Sequence, residues 1–493
     1  MSKSSLDWIV RGAFFIFIGL FFSKLLNFAF RTIVARWLGP ADYGILSLGI
    51  AVFSIVGMVA SLGLEHGVER YLGYFYGQKK EMKNIIFSGL KIALISSLIF
   101  AVLLFLFSSQ LSSLISSNGT LKYFLLILAL VLPFWVLTEL FMAVFRGTKK
   151  IEHYITVRQI VEPGVKVLLA VAFLYYGYSL FGVMWAYVLS YFVSFLVGML
   201  IVWKLISKYK DQNLGKSFGK KLLTFSWPLL FMGALFTCMT WIDTLMIGYF
   251  LTEELVGVYN VAIPLAALLV IPVNLFKGLF IPVVSKLYAE KKFKEIKKVY
   301  KKLLTWFVSL TFPLFMFMFY YTGELIVFLF GVDYIGALWP MRILLLGTMV
   351  VTFFGVLGLL YNSFAMTKLK LVISFIATGI GVVLNIVFIQ SYGITGAALA
   401  TAFSFLVFNI LLFVPLFRKF RISLLDFDLV KQYLKVIIVG VLSFFALVWI
   451  FGSVEKYSLI LFALVYGFVY LLFLFLFGGI SKEDMKSFKS FRR

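Results

Sequence analysis

Long apolar runs recur through this chain of 493 residues, and they decide what it can fold into. A helix rises about 1.5 Å per residue, so crossing some 30 Å of hydrocarbon takes about twenty apolar residues. Windows of that length fall at 8–30, 43–64, 84–107, 121–144, 155–176, 179–203 and 222–250. They continue at 257–283, 301–321, 338–362, 371–390, 393–417, 432–452 and 457–479, about fourteen spans in all. Hydrophobic residues make up 62% of the chain and charged residues 13%, too few charges to coat a soluble surface of this size. The apolar excess must therefore face lipid. The runs also lack the polar alternation of barrel strands. The expected fold is an all-α polytopic membrane protein whose first apolar stretch stays as a span and is not cleaved.

The formal charge of +24 would suggest nucleic acid in a soluble protein, but the placement of the charges points elsewhere. With an even number of spans both termini lie on one side. Nearly every loop Lys and Arg falls on that side, including Lys79, Lys80, Lys149, Lys150, Lys291 and Lys292, whereas the other side holds Arg31, Arg36 and Lys456. The positive-inside rule then places both termini in the cytoplasm and the chain in the cell membrane. The basic loops meet anionic inner-leaflet lipid, and no nucleic-acid partner is implied.

The sequence also repeats. Leu38-Gly-Pro-Ala-Asp-Tyr-Gly44-Ile-Leu returns as Leu251-Thr-Glu-Glu-Leu-Val-Gly257-Val-Tyr. Phe145-Arg-Gly-Thr148-Lys149 returns as Phe364-Ala-Met-Thr367-Lys368, and Gly182-Val-Met-Trp-Ala186 as Gly396-Ala-Ala-Leu-Ala400. Six spans bring the chain back to its starting side, so the copies run parallel. The expected organisation is a first six-helix lobe (1–203), a basic cytoplasmic linker (204–221), a second six-helix lobe (222–417), and a helix pair with a basic tail (418–493). Paired repeats around a mid-membrane path are a transporter plan.

At three places the residues look familiar. Arg36-Trp-Leu-Gly-Pro-Ala-Asp-Tyr-Gly-Ile-Leu-Ser47, Asp243-Thr-Leu-Met-Ile-Gly-Tyr-Phe-Leu…Gly257-Val-Tyr-Asn-Val-Ala262 and Leu384-Asn385…Tyr392-Gly-Ile-Thr-Gly-Ala-Ala-Leu-Ala-Thr401 carry the likeness. Together with the repeat they resemble the polysaccharide (O-antigen type) flippases of the multidrug/oligosaccharidyl-lipid/polysaccharide exporter superfamily. The resemblance implies alternating access between two lobes. It also implies a lipid-linked oligosaccharide substrate on a polyprenyl phosphate or pyrophosphate, and other polysaccharide-assembly proteins as partners. Two neighbouring readings stay open: a cation-coupled exporter of drugs or small metabolites, and a peptidoglycan-precursor flippase. No phosphate-binding Gly-x4-Gly-Lys-Ser/Thr loop occurs, and no catalytic constellation or metal site is expected.

Charges inside spans cost several kcal/mol unless paired, hydrated or snorkelling. Arg11 and Lys91 lie within reach of the cytoplasmic boundary, where a long side chain can snorkel. Lys24, Asn27 and Arg31 share one face of the first span. Arg158, Glu162 and Lys166 form an i, i+4, i+8 ladder, either an internally paired stripe or a substrate surface. Pro163-Gly164 directly follows Glu162, within the ladder, and should kink the helix there. A lipid-linked phosphate needs cationic partners and its sugars need a wet path, so Arg11, Lys24, Arg31, Lys91, Arg158, Glu162 and Lys166 are the candidate cationic cavity. By resemblance, Asp243, Asn385 and Thr401 are candidates for a coupling Na⁺ or H⁺. The plainer reading of Asp243 is an outer-end acid hydrogen-bonded to nearby threonines.

Overall fold

The structure, a computed structural model, describes residues 3–116, 119–207, 217–354, 357–420, 427–452 and 458–476, the side chains of 3–18, 274–279 and 428 excepted. The basic segment 208–216 within the linker and the tail 477–493 lie outside the described residues, as does the side chain of Arg11. Among the described residues every regular element is helical. The chain divides into two compact units, Met1–Val261 and Ala262–Arg493.

The first unit runs through α1 (Lys3–Ala60), α2 (Leu64–Tyr74), α3 (Lys79–Ile115) and α4 (Thr120–Gly147). It continues with α5 (Ile151–Ile155), a π-helical turn (Thr156–Val161), α6 (Glu162–Tyr175), α7 (Ser179–Ser207) and α8 (Gly219–Phe250). The division to the second unit falls inside α9 (Glu253–Leu268). There follow α10 (Ile271–Ala289), α11 (Phe293–Tyr320), α12 (Thr322–Leu329), α13 (Leu338–Phe354) and α14 (Leu357–Ser363). The unit ends with α15 (Thr367–Phe420), α16 (Phe427–Phe451) and α17 (Ser458–Leu476).

Ten of these helical stretches are long and apolar enough to cross a membrane. The two longest, α1 and α15, each hold two of the apolar windows and break between them, at Gly39 (φ 79°) and Gly393 (φ 59°). Both angles are in the left-handed region, which glycine enters without the Cβ penalty. Windows 155–176 and 257–283 fall on runs interrupted by the π turn and by the gap between α9 and α10. Among the described residues each of the about fourteen windows is thus mainly helical, as hydrocarbon requires of a spanning backbone. The repeat is visible in the backbone too. Ser179, the counterpart of Gly393, is also left-handed (φ 45°), so the same bend recurs three residues before Gly182 and Gly396.

In the second unit, buried tyrosines fasten the last two helices. Tyr470 Oη donates to the carbonyl of Ser309 on α11 (2.9 Å), and Tyr466 Oη to that of Gly440 on α16 (3.1 Å). A buried phenol must find such a partner, so each ring fixes one register between helices. Tyr288, Phe364 and Phe420 stack at the end of α10, with centroids 4.5 Å and 4.7 Å apart for Tyr288–Phe364 and Phe364–Phe420.

In the first unit the two copies of the repeated motif meet. A Cβ on Gly44 would overlap the carbonyl oxygen of Glu253, and one on Gly257 would overlap that of Pro40. Each glycine thus faces the residue four before its own counterpart, a local two-fold arrangement of α1 and α9. Backbone contact this close admits only hydrogen at Cα, and it allows Cα–H···O attraction. Ser116 Oγ, at the end of α3, donates to buried Glu253 at 2.6 Å. Gly44→Val should destabilise the protein by about 1–3 kcal/mol through overpacking. Gly73→Ala, where a Cβ meets nothing, should change stability little. Thermal unfolding in detergent compares them; equal melting temperatures for Gly44→Val and wild type would contradict the contact.

Candidate functional site

Proline sets the local geometry of the site. Pro163 has no N–H, and its ring presses on the carbonyl four residues earlier. The helix widens into the π turn just ahead of it, over Thr156–Val161. Such turns are rare and recur at functional positions. This one contains Arg158, whose Nη1 donates to Glu162 Oε2 at 2.7 Å, while Nη2 lies 2.9 Å from Glu139 Oε1 on α4. One guanidinium therefore bridges two carboxylates on separate helices. The trio keeps a net negative charge.

Lys166, one turn beyond Glu162, is buried. Its Nζ donates to Asn27 Oδ1 on α1 at 2.8 Å and lies about 5 Å from the ring centroids of Phe30 and Tyr187. The Arg158–Glu162–Lys166 ladder is thus not paired along its own length. Its first two members pair, and the third reaches across to α1. Asn27 is held for this by its own bond to the carbonyl of Ser23, 2.8 Å.

Arg158 and Glu139 open on a cavity of about 400 Å³, formed by the second half of α1, α2, α4, the π turn, α7 and α8. Trp135, Tyr191 and Trp241 give it aromatic walls, Thr237 and Thr240 add hydroxyls, and Glu65 adds a second carboxylate. The rings continue as a strip. Phe30 packs edge-on to Tyr187 (5.2 Å), Tyr187 neighbours Tyr191 (6.2 Å), Tyr191 stacks on Phe53 (5.8 Å) and Phe53 meets Trp135 (5.7 Å). Trp135 can lie flat because Gly57 on α1 leaves room for its ring. The strip runs from the Lys166 cage to the cavity wall.

Of the remaining candidates, Arg31 is half-buried and lines a separate pocket of about 10 Å³ with Tyr43, Tyr187, Trp241 and Asn260. Lys24 and Lys91 are exposed, and neither lines the larger cavity. Asp243 is buried in the first unit, where its Oδ2 accepts the Tyr259 hydroxyl at 3.0 Å. Beside it Thr244 donates to Asn260 (3.3 Å). Asn385 and Thr401 belong to the second unit, where Asn385 Nδ2 donates to the carbonyl of Gly381 (3.0 Å). Glu65 and the aromatic strip were not among the residues the sequence singled out. Glu65 follows the apolar window directly at a helix start, and that position was its signal.

Removing the bridging cation should cost more than removing the whole charge cluster. Arg158→Ala leaves buried Glu162 and half-buried Glu139 without their shared cation, a loss of about 3 kcal/mol. Adding Glu139→Gln and Glu162→Gln should recover a substantial part of it, read by thermal unfolding. A triple variant no more stable than Arg158→Ala would contradict the bridge.

The family of polysaccharide biosynthesis proteins matches residues 33–338 of the chain. A Haloferax volcanii protein named as a probable low-salt glycan biosynthesis flippase is 26% identical, over 82% of both proteins. A Shigella flexneri protein named for O-antigen transport is 24% identical, over 74% of this chain and 88% of that one. The fold is similar to that of the lipid II flippase MurJ in an inward closed conformation, with TM-score 0.76, 18% identity, and coverage of 93% of this chain and 98% of that one. By the match over most of its length, the chain is a multi-pass membrane protein that belongs to the polysaccharide biosynthesis protein family.

Proposed function

We propose that this protein flips a glycan carried on a polyprenyl phosphate or pyrophosphate across the cell membrane by alternating access, for assembly of a cell-surface glycan. The observation that carries the reading is the polar cavity of about 400 Å³ inside an apolar helical unit, with an ion bridge in its wall. Sugars and phosphate cannot cross hydrocarbon unaided, and a pathway for them has to offer hydrogen bonds and charge away from lipid. Arg31 and Lys166 supply cations for the phosphate, Arg31 with the bidentate geometry suited to it. On α16 and α17 a mainly apolar groove of about 620 Å³ is lined by Ile438, Val439, Leu442 and Phe473, with Lys435 in its wall. Its chemistry suits a prenyl chain beside an anionic group. The excess of Lys and Arg on the loops of one side supports a topology with both termini in the cytoplasm. The coupling ion in this reading is Na⁺ or H⁺, with Asp243, Asn385 and Thr401 as its candidate residues.

A second reading, export of a small organic cation, is favoured by one observation, the carboxylates of Glu65 and Glu139 at the cavity. Proteoliposomes separate the two. Fluorescent lipid-linked oligosaccharide should change leaflet at a protein-dependent rate, and Arg31→Ala or Lys166→Ala should slow it by about tenfold or more, equal to some 1.4 kcal/mol of barrier. An imposed Na⁺ or pH gradient should change the rate, and Asp243→Asn should abolish that response. Flipping at the protein-free rate, with transport of a cationic dye, would overturn the proposal in favour of the second reading.

A further inference from the structure

The cavity differs in charge from what a phosphate-binding chamber needs. Its lining carries one cation, Arg158, against the carboxylates of Glu65 and Glu139. Arg158 is moreover committed on both sides, to Glu139 at 2.9 Å and to Glu162 at 2.7 Å. An anion placed here would meet two carboxylates and find the only lining guanidinium already engaged. Between partly buried groups only a few ångströms apart, such like-charge contact is screened less than between exposed surface charges. Arg31 lines the other pocket, whose roughly 10 Å³ is about the room one water needs. The phosphate and the cavity are therefore separate matters.

The remaining walls describe what does fit. Trp135, Tyr191 and Trp241 present flat apolar faces between polar rims. The C–H face of a sugar ring is the ligand surface that matches such a wall, while its hydroxyls look for acceptors. When ionised, Glu65 and Glu139 have no donor of their own, and they accept from hydroxyl or ammonium groups. A volume of about 400 Å³ lies in the range of small-ligand sites, with room for about one or two sugar rings.

We infer that this cavity is a subsite for neutral or amino-bearing sugar rings and that it rejects rings carrying a carboxylate, sulfate or phosphate. The inference rests on the flippase reading for the identity of the substrate. It adds which end of the headgroup enters here and what charge that end has.

Calorimetric titration of the detergent-purified protein with short-chain prenyl-pyrophosphate disaccharides tests it. Three ligands of one linkage are needed, differing only in the outer ring: hexose, free-amine hexosamine and hexuronic acid. The hexose and hexosamine forms should bind at least about tenfold more tightly than the hexuronic form. Glu65→Gln should narrow that ratio to about threefold or less, chiefly by improving the hexuronic ligand. Equal affinities, tighter binding of the hexuronic form, no binding of any of the three, or a ratio unmoved by Glu65→Gln would overturn the subsite. Leaflet exchange of the long-chain forms is measured alongside. Selective binding without any flipping would remove the flippase reading and leave the subsite standing.

Discussion

Hydrocarbon offers no water to an ion, so an ionised side chain within the membrane must bring its own partners or reach an aqueous space. In the first unit this constraint is met by Arg158, Glu139 and Glu162, and much of the local architecture follows from the trio. Glu139 can reach the guanidinium only if α4 lies against the π turn. Glu162, four residues on and directly before Pro163, reaches it from the same helical run. Lys166 then emerges one turn later toward α1, where Asn27 receives it. A buried salt bridge gives little net stability on its own, because desolvation offsets most of the attraction. Its value lies in positioning. Three helices are registered against one another by bonds that are costly to break singly.

The glycines and aromatic residues complete that registration by opposite means. Gly44 and Gly257 let α1 and α9 approach backbone to backbone, which leaves no room there for ligand or water. Away from that contact, large rings hold the helices apart. Phe53, Trp135 and Tyr191 span the space between α1, α4 and α7, and the cavity forms where their faces are left uncovered. Small residues at one level and large ones at another thus shape a chamber from helices that are mainly apolar outside.

The helices were legible in the sequence because hydrocarbon thickness fixes their length, and among the described residues the apolar windows fall mainly on helix. The motifs at Gly182 and Gly396 were read as a repeat, and left-handed Ser179 and Gly393 give each of them a bend three residues earlier. The Pro163 distortion was expected as a kink; that the chain answers with a π turn ahead of it depends on neighbours the sequence does not order. The partner of Lys166 was less accessible. Spacing along one helix suggested Glu162, whereas the bond goes to Asn27 on α1, 139 residues away. Glu65 had a positional signal at a helix start, whereas the aromatic strip was not readable, since a Trp in an apolar span has the same sequence signal facing lipid or cavity. Lys24 and Lys91 share helix faces with polar residues, yet they are exposed and stand apart from the cavity.

These features converge on a protein whose interior handles polar cargo while its exterior stays in lipid, consistent with its membership of the polysaccharide biosynthesis family. The central claim is that the chamber beside Arg158 is an aqueous route for a sugar headgroup and not a lipid-filled gap. Thr237 lines that chamber, and Cys238 is the only cysteine in the chain. The direct measurement is labelling of Thr237→Cys, in a Cys238→Ser background, by a membrane-impermeant maleimide applied to sealed vesicles of each orientation. The account expects labelling from at least one face, slowed by lipid-linked oligosaccharide. A thiol that stays unlabelled from both faces, while reacting fully after denaturation, would contradict it.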